Sequence, residues 1–143
     1  MTYKEELENI KGILSNAKTI AVVGISHNAD RTSRVIAEFL VKAGYEVVGV
    51  NPAISKAGNI TVYKTLNDIP FEIDIVNVFR RSETISEIIP DVINKKPKVL
   101  WLQEGIRNDE AVKPAKEAGI EVIQDSCIAV FYRLSGAKVK ISS

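Results

Sequence analysis

Short apolar runs without a polar interruption alternate along this chain with segments in which apolar residues recur on one helical face. The run at residues 20–25 is typical, and its continuous pattern indicates a strand that is covered on both faces. The segment at 33–43 has the helical pattern and ends at Gly44, as an amphipathic helix does. Strict alternation of such strands and helices predicts a parallel sheet with helices on both faces.

The same patterns give the bounds of each predicted element. The predicted strands are residues 20–25, 47–50, 60–63, 73–79, 99–102 and 120–123, and the predicted helices are residues 4–16, 33–43, 85–94, 110–118 and 127–134. Thr32 or Ser33 is expected to cap the second helix. Pro90 is expected either to kink the third helix or to stand in its first turn. Right-handed crossovers then predict an α/β fold, a doubly wound and mainly parallel Rossmann-like sheet in the order 3-2-1-4-5-6.

Length and composition limit the classes of function. A chain of 143 residues corresponds to a single domain. Its 19 Lys and Arg against 18 Asp and Glu give no support to a nucleic-acid or membrane partner, because both need excess basic charge. One Cys and one His cannot form an internal disulfide or a Cys/His zinc site, so we predict no metal. With no apolar run near ~20 residues and an acidic N-terminus, we expect a cytoplasmic protein.

Ligands of doubly wound sheets bind outside the carboxyl ends of the strands, so the loops after the predicted strands are the candidate site. Residues 24–33, the first loop, lead into a helix whose free N–H groups favour an anion. A dinucleotide fingerprint would have glycines where this loop has Ser26 and Ala29. NAD binding also favours an acid where the second strand is followed by Asn51. These residues predict a phosphate loop but a poor NAD site.

Arginine is concentrated on this predicted edge. Five of the six arginines follow predicted strands or lie one turn beyond them: Arg31, Arg34, Arg80, Arg81 and Arg107. A guanidinium group matches phosphate oxygens through paired hydrogen bonds, so this concentration favours a polyanionic ligand. In the alternative interpretation these arginines form a solvated rim and pair with Asp30, Glu83, Glu104 and Asp109.

Several segments together resemble the small stand-alone CoA-binding proteins, whose domain is similar to the CoA-binding domain of succinyl-CoA synthetase alpha subunits. The segments are VVGIS at 22–26, GYEVVGVNP at 44–52, VNVFRR at 76–81, LWLQEG at 100–105 and DSC at 125–127. The resemblance implies a domain that binds coenzyme A (CoA) rather than a dinucleotide. We expect residues 1–17 to be a leading amphipathic helix packed on the domain, 18–134 the CoA-binding Rossmann-like domain, and 135–143 a flexible tail.

The resemblance also implies which residues bind CoA. The phosphate loop would use Gly24, Ser26, Arg31, Thr32 and Ser33. The adenosine side would use Asn51, Pro52 and Lys56. The pantetheine arm would lie along Val78, Phe79, Arg80, Glu104 and Gly105 and extend towards Cys127, and Ile25 and Arg81 adjoin these positions. Relatives more often have Arg where this chain has Ser126, which weakens any role for the DSC segment.

Two residues offer the chemistry that a catalyst would need. A lone loop histidine such as His27 is more often a surface residue than a general base. Cys127 is the only thiol, and a free cysteine is usually buried and inert. If it is exposed at a helix N-terminus it becomes reactive. In that case we predict a mixed disulfide with CoA, formed from CoA disulfide with release of one CoA thiol.

The resemblance implies binding rather than catalysis. Succinyl-CoA synthetases use a phosphorylated His in a further domain and a nucleotide-grasping module, and we expect neither in this chain. We therefore predict that the protein binds CoA or a short acyl-CoA without catalysis of its own. The alternatives are an NAD(P)-binding redox enzyme or sensor and an interaction module that uses the fold as a scaffold. A homo-oligomer or a partner subunit is compatible with the sequence.

Overall fold

The uninterrupted apolar runs form the strands of one sheet in the computed structural model, which describes residues 1–140. The strands are β1 (Thr19–Val23), β2 (Glu46–Val50), β3 (Lys56–Ala57), β4 (Ile60–Tyr63), β5 (Ile75–Val78), β6 (Val99–Leu102) and β7 (Glu121–Ile123). Their order is β3-β4-β2-β1-β5-β6-β7, and all pairs are parallel except β3 with β4. The predicted fold and the order of the six predicted strands are confirmed. The structure adds β3, a two-residue antiparallel strand at the edge.

Helices cover both faces of this sheet. They are α1 (Tyr3–Asn16), α2 (Thr32–Ala43), α3 (Ile89–Lys95), α4 (Lys113–Glu117) and α5 (Ile128–Ser135). The helix predicted at 85–94 is instead a 3-10 helix, Ser82–Glu87, followed by α3. Pro90 stands in the first turn of α3, where its missing N–H has no intrahelical partner to lose. The helix predicted at 110–118 is shorter, because residues 110–112 form turns before α4 begins.

Alternation of side chains along the strands divides the core into two layers. Ile20 and Val22 of β1 pack on the face that carries α1, α2 and α5, whereas Ala21 and Val23 pack on the face that carries α3 and α4. Both layers are apolar, which is the reason that the strands read as continuous rather than alternating runs. Asn77 of β5 is an exception, because it is polar and its side chain is nevertheless fully buried.

Buried side chains and hydrogen bonds anchor α1 to the rest of the chain. Ile10 and Leu14 of α1 are buried in the first core layer. The hydroxyl group of the buried Tyr45 donates a hydrogen bond to the Leu14 carbonyl oxygen near the end of α1. After α5, Lys138 N donates to Ser15 Oγ (3.2 Å). The tail predicted at 135–143 is therefore attached to the end of α1 at Lys138, and its last residues, 141–143, lie outside the described range.

We predict that Tyr45→Phe lowers the free energy of unfolding by about 1–2 kcal/mol at neutral pH, because the buried Leu14 carbonyl loses its partner. Urea denaturation followed by far-UV circular dichroism measures the change. Tyr3→Phe is the matched control, since Tyr3 is 63% exposed. An unchanged stability in Tyr45→Phe would contradict this role of the hydroxyl group.

The same pair of variants gives a pH dependence. Burial, with a smaller contribution from Tyr132, raises the pKa of Tyr45 in the folded state. An unfolded tyrosine ionises near pH ~10, so above that pH the unfolded chain loses a proton that the folded chain keeps. The stability of the wild type should fall above pH ~10 by up to about 1.4 kcal/mol per pH unit more than that of Tyr45→Phe. Parallel pH profiles of the two proteins would contradict the prediction.

Candidate functional site

The carboxyl ends of six parallel strands meet at one edge of the sheet, and a cleft of about 420 Å³ opens there. Its floor is formed by the ends of β1 and β2, and its far wall by the segment that enters α3. Six lining residues follow strand ends: Gly24, Asn51, Pro52, Lys64, Thr65 and Arg80. The others are Val23, Val50, Leu66, Glu87, Ile88 and Asp91. The cleft lies on the α3 side of the edge, since Leu66 and Ile88 belong to that core layer.

The first loop leaves β1 through Gly24, whose conformation no other residue adopts easily. Its φ is +86°, and a Cβ at this position would lie well under 3.0 Å from the Phe79 carbonyl oxygen. The loop then continues in short side-chain turns, in which Ser26 Oγ accepts from Asn28 N (3.0 Å) and Asn28 Oδ1 accepts from Asp30 N (3.0 Å). These internal bonds hold the loop in one shape beside the cleft.

The predicted cap of α2 by Thr32 or Ser33 is wrong. Arg31 occupies the cap position, and no side chain in the described part of the chain bonds to this helix end. Ser33 Oγ is used differently, because it accepts a hydrogen bond from Ser26 N (3.1 Å) and so attaches the first loop to α2. The positive end of the α2 dipole therefore faces the edge of the sheet without a capping oxygen.

Asn51 joins the first loop to the loop that follows β2. Its Nδ2 donates to the Ile25 carbonyl oxygen (2.9 Å), and its Oδ1 accepts from Ala53 N (2.8 Å). Both polar groups of the side chain are thus used by the protein itself. Asn51 presents no carboxylate to a ribose at the position where an NAD site usually has one.

The arginines of this edge are mostly paired with carboxylates. Arg80 pairs with Glu87 (3.3 Å), Arg81 with Glu83 (3.6 Å) and Arg107 with Asp109 (3.2 Å). A hydrogen bond from Gln124, followed by the Arg107 guanidinium, holds the pKa of the Asp109 carboxyl below its usual value. The solvated-rim interpretation therefore describes Arg81 and Arg107, whose side chains are 81% and 60% exposed. Arg80 differs, since it is 32% exposed and lines the cleft.

The other predicted residues do not line the cleft and lie in different parts of the structure. Ser26, Arg31, Thr32 and Ser33 lie on the first loop or at the start of α2, beside the cleft rather than in its lining. Phe79 and Cys127 pack on the opposite core layer, and exposed Glu104 and Gly105 follow β6. Ile25 and Val78 have buried side chains, so only their backbone atoms could face a ligand. Lys56 is exposed on β3, at the edge of the sheet.

The loops after β6 and β7 are joined by hydrogen bonds near Cys127. Asp125, at a φ of +52°, accepts a hydrogen bond from Gly105 N through Oδ1 (2.7 Å). Gln103 Oε1 accepts from Ile128 N (3.0 Å) at the start of α5. Cys127, half-buried, stands at the cap position of α5 between these two attachments. The DSC segment therefore positions the Gly105 loop, which its sequence did not predict.

Of the residues that line the cleft, sequence reasoning identified only Gly24, Asn51, Pro52 and Arg80. Lys64 and Thr65 directly follow β4, so the rule that identified Asn51 and Arg80 would also have identified them. Glu87, Ile88 and Asp91 reach the cleft because the chain turns through a 3-10 helix before α3. Helical periodicity alone does not reveal that turn.

Two kinds of feature are absent from residues 1–140. Within that range no helix combines the length and apolar character that a bilayer crossing requires. No group of three or more His, Cys, Asp and Glu side chains in the same range is arranged to hold a metal ion.

Comparison with known proteins places this chain in a family. A family model described as a CoA binding domain matches residues 18–133. The uncharacterized protein YneT of Bacillus subtilis (strain 168) is 42% identical over 126 residues, which cover 88% of this chain and 93% of YneT.

Solved structures give the same fold over nearly the whole chain. A hypothetical protein from Pyrococcus horikoshii OT3 superimposes with a TM-score of 0.86 at 32% identity, covering 90% of each chain. The protein cell-free ID.343 from Thermus thermophilus superimposes with a TM-score of 0.84 at 32% identity, covering 94% of this chain and 99% of that one. The resemblance drawn from the sequence motifs is confirmed, and the chain belongs to the CoA binding domain family.

Proposed function

We propose that the protein binds CoA, or a short acyl-CoA, at the carboxyl edge of its sheet and holds it without catalysis of its own. The observation that carries this proposal is that Gly24 both begins the first loop and lines the cleft. One ligand could therefore place an anionic group at the first turn of α2 and a group bonded to it in the cleft. CoA has both parts, since a diphosphate joins its adenosine to its pantetheine arm.

The cleft suits the adenine ring better than it suits a phosphate. Val23, Val50, Leu66 and Ile88 provide apolar surface for a flat ring. The carboxylates of Glu87 and Asp91 would repel a phosphate, whereas an exocyclic amino group can donate to such oxygens. We therefore assign the adenine to the cleft and the phosphates to its rim.

Cations on the rim supply the phosphate sites. Arg31, Lys56 and Lys64 are exposed, and none of them forms an ion pair within residues 1–140. The three follow or lie beside β1, β2 and β4, on the adenosine side of the edge. CoA carries a 3′-phosphate on its ribose that NAD lacks, so cations at this position favour CoA. The pantetheine arm would then pass Phe79 and Gly105 and end near Cys127.

Calorimetric titration and thermal shift with CoA, dephospho-CoA and NAD test the proposal. CoA should raise the melting temperature, because a ligand at ~100 times its dissociation constant adds about 2.7 kcal/mol to stability. Dephospho-CoA should bind more weakly than CoA, and NAD should produce no shift. A shift with NAD alone would support a redox enzyme or sensor instead, and the absence of any shift would favour an interaction module.

We predict that Lys64→Ala weakens the binding of CoA roughly fivefold, because an exposed ion pair contributes up to about 1 kcal/mol. The binding of dephospho-CoA should change by less than twofold if Lys64 faces the 3′-phosphate. Lys113→Ala is the control, since Lys113 pairs with Glu110 outside the cleft (2.8 Å). Equal losses for both ligands would place Lys64 at the diphosphate instead.

Gly24→Ala tests the close approach of the first loop to β5. The added Cβ would meet the Phe79 carbonyl oxygen, a backbone atom that cannot move aside cheaply. We expect a loss of unfolding free energy above 2 kcal/mol, beyond the ~1–2 kcal/mol that a positive φ costs by itself. Gly119→Ala isolates the conformational cost, because Gly119 has a φ of +88° and nothing within 4 Å of its Cβ position. Urea denaturation measures both variants, and similar losses would contradict the contact.

A further inference from the structure

We propose that Arg34 is a positioning residue that holds the first loop in its ligand-binding shape, an inference that rests on the proposed function. Arg34 is the third residue of α2, and its side chain is 11% exposed, unlike the exposed cations of the rim. Its Nη1 donates to the carbonyl oxygen of His27 (2.7 Å), in the middle of the first loop. Its Nε donates to Glu38 Oε1 (3.2 Å), one turn further along α2.

The same guanidinium group lies against the turn between β3 and β4. A Cβ at Gly58 would lie 2.5 Å from Arg34 Nη2 and 3.4 Å from Glu38 Oε1. The absence of a side chain at Gly58 is therefore what lets the guanidinium group pack there. Arg34 brings together α2, the first loop and the β3–β4 turn, and β3 carries Lys56. Arg34 therefore connects two of the proposed phosphate-binding segments, the first loop and β3.

This geometry removes Arg34 from the set of ligand arginines. Two of its donor nitrogens are directed at protein oxygens, and little of the side chain reaches solvent. Burying a guanidinium group costs free energy unless its N–H groups have hydrogen-bond partners. Arginine suits such a position because its planar group presents several donors in a fixed geometry. Lysine keeps the charge but lacks the fork and cannot donate to His27 and Glu38 in the same geometry.

We expect Arg34 to affect the affinity for CoA without contacting CoA itself. A loop that is held in its bound shape does not lose conformational freedom when the ligand arrives, and this preorganisation strengthens binding. We expect Arg34→Lys to bind CoA roughly tenfold more weakly than the wild type, with a more unfavourable entropy of binding. Gly58→Ala should act in the same direction, because the new Cβ displaces the end of Arg34.

The experiment combines calorimetry with amide hydrogen exchange of residues 27–31. In Arg34→Lys and Gly58→Ala, exchange of these amides should become faster without ligand, and saturation with CoA should slow it again. Arg133→Lys is the control for the arginine, since Arg133 lies over the Phe39 ring away from the edge (4.8 Å). Gly136→Ala is the control for the glycine, with a φ of +73° and nothing within 4 Å. All titrations are run at a temperature at which every variant is folded.

The outcomes separate this inference from the proposed function. If folded Arg34→Lys binds CoA with wild-type affinity and the amide exchange of the first loop is unchanged, the positioning role of Arg34 is overturned, whereas the proposed binding of CoA stands. A lower melting temperature with unchanged affinity would show a structural role alone and would equally overturn it. If the wild type itself does not bind CoA, the proposed function fails, while faster loop exchange in Arg34→Lys would still show that Arg34 holds the loop.

Discussion

The exit of the chain from the central strand constrains the loops at the carboxyl edge of the sheet. β1 is paired on both sides, and at its end Gly24 N bonds to Val50 O (2.9 Å) while Phe79 N bonds to Val23 O (2.8 Å). The Phe79 carbonyl oxygen then occupies the space that a side chain at position 24 would need. The first loop can leave only along the path that a glycine allows. That path sets where α2 begins and which way its positive end points.

Uncharged amide side chains connect the loops that this arrangement brings together. Asn51 joins the loops after β1 and β2, and Gln103 joins the end of β6 to the start of α5. Asn108 joins the segment before α4 to Ser82 through the Ser82 carbonyl oxygen (2.9 Å). An amide can donate and accept at once, so it satisfies backbone groups without burying a charge. Arg31, Lys56 and Lys64 stay exposed at the rim and form no ion pair within residues 1–140, whereas the guanidinium group of Arg34 is largely buried.

The sequence predicted the layers better than it predicted the directions of side chains. Continuous apolar runs are a direct consequence of burial on both faces, so six strands and their order followed from them. β3 was missed because two residues carry no pattern, and only Ala57 of the two is buried. Arg34 was grouped with the ligand arginines because its position along α2 is one turn beyond the first loop. Only the structure shows that its side chain turns back to His27, since sequence spacing gives no direction for a long side chain.

The hydrogen bond from Lys138 to Ser15 also indicates which terminus is better suited to a surface attachment or a fusion partner. Ser15 lies at the end of α1, just before β1 begins, and so at the edge of the sheet opposite the cleft. Met1 and Tyr3, by contrast, lie near Ser126, next to Cys127. A biosensor surface or a fluorescent fusion joined after Lys140 would leave the carboxyl edge of the sheet, with its cleft, facing outward. The same attachment at Met1 would crowd the neighbourhood of the only thiol.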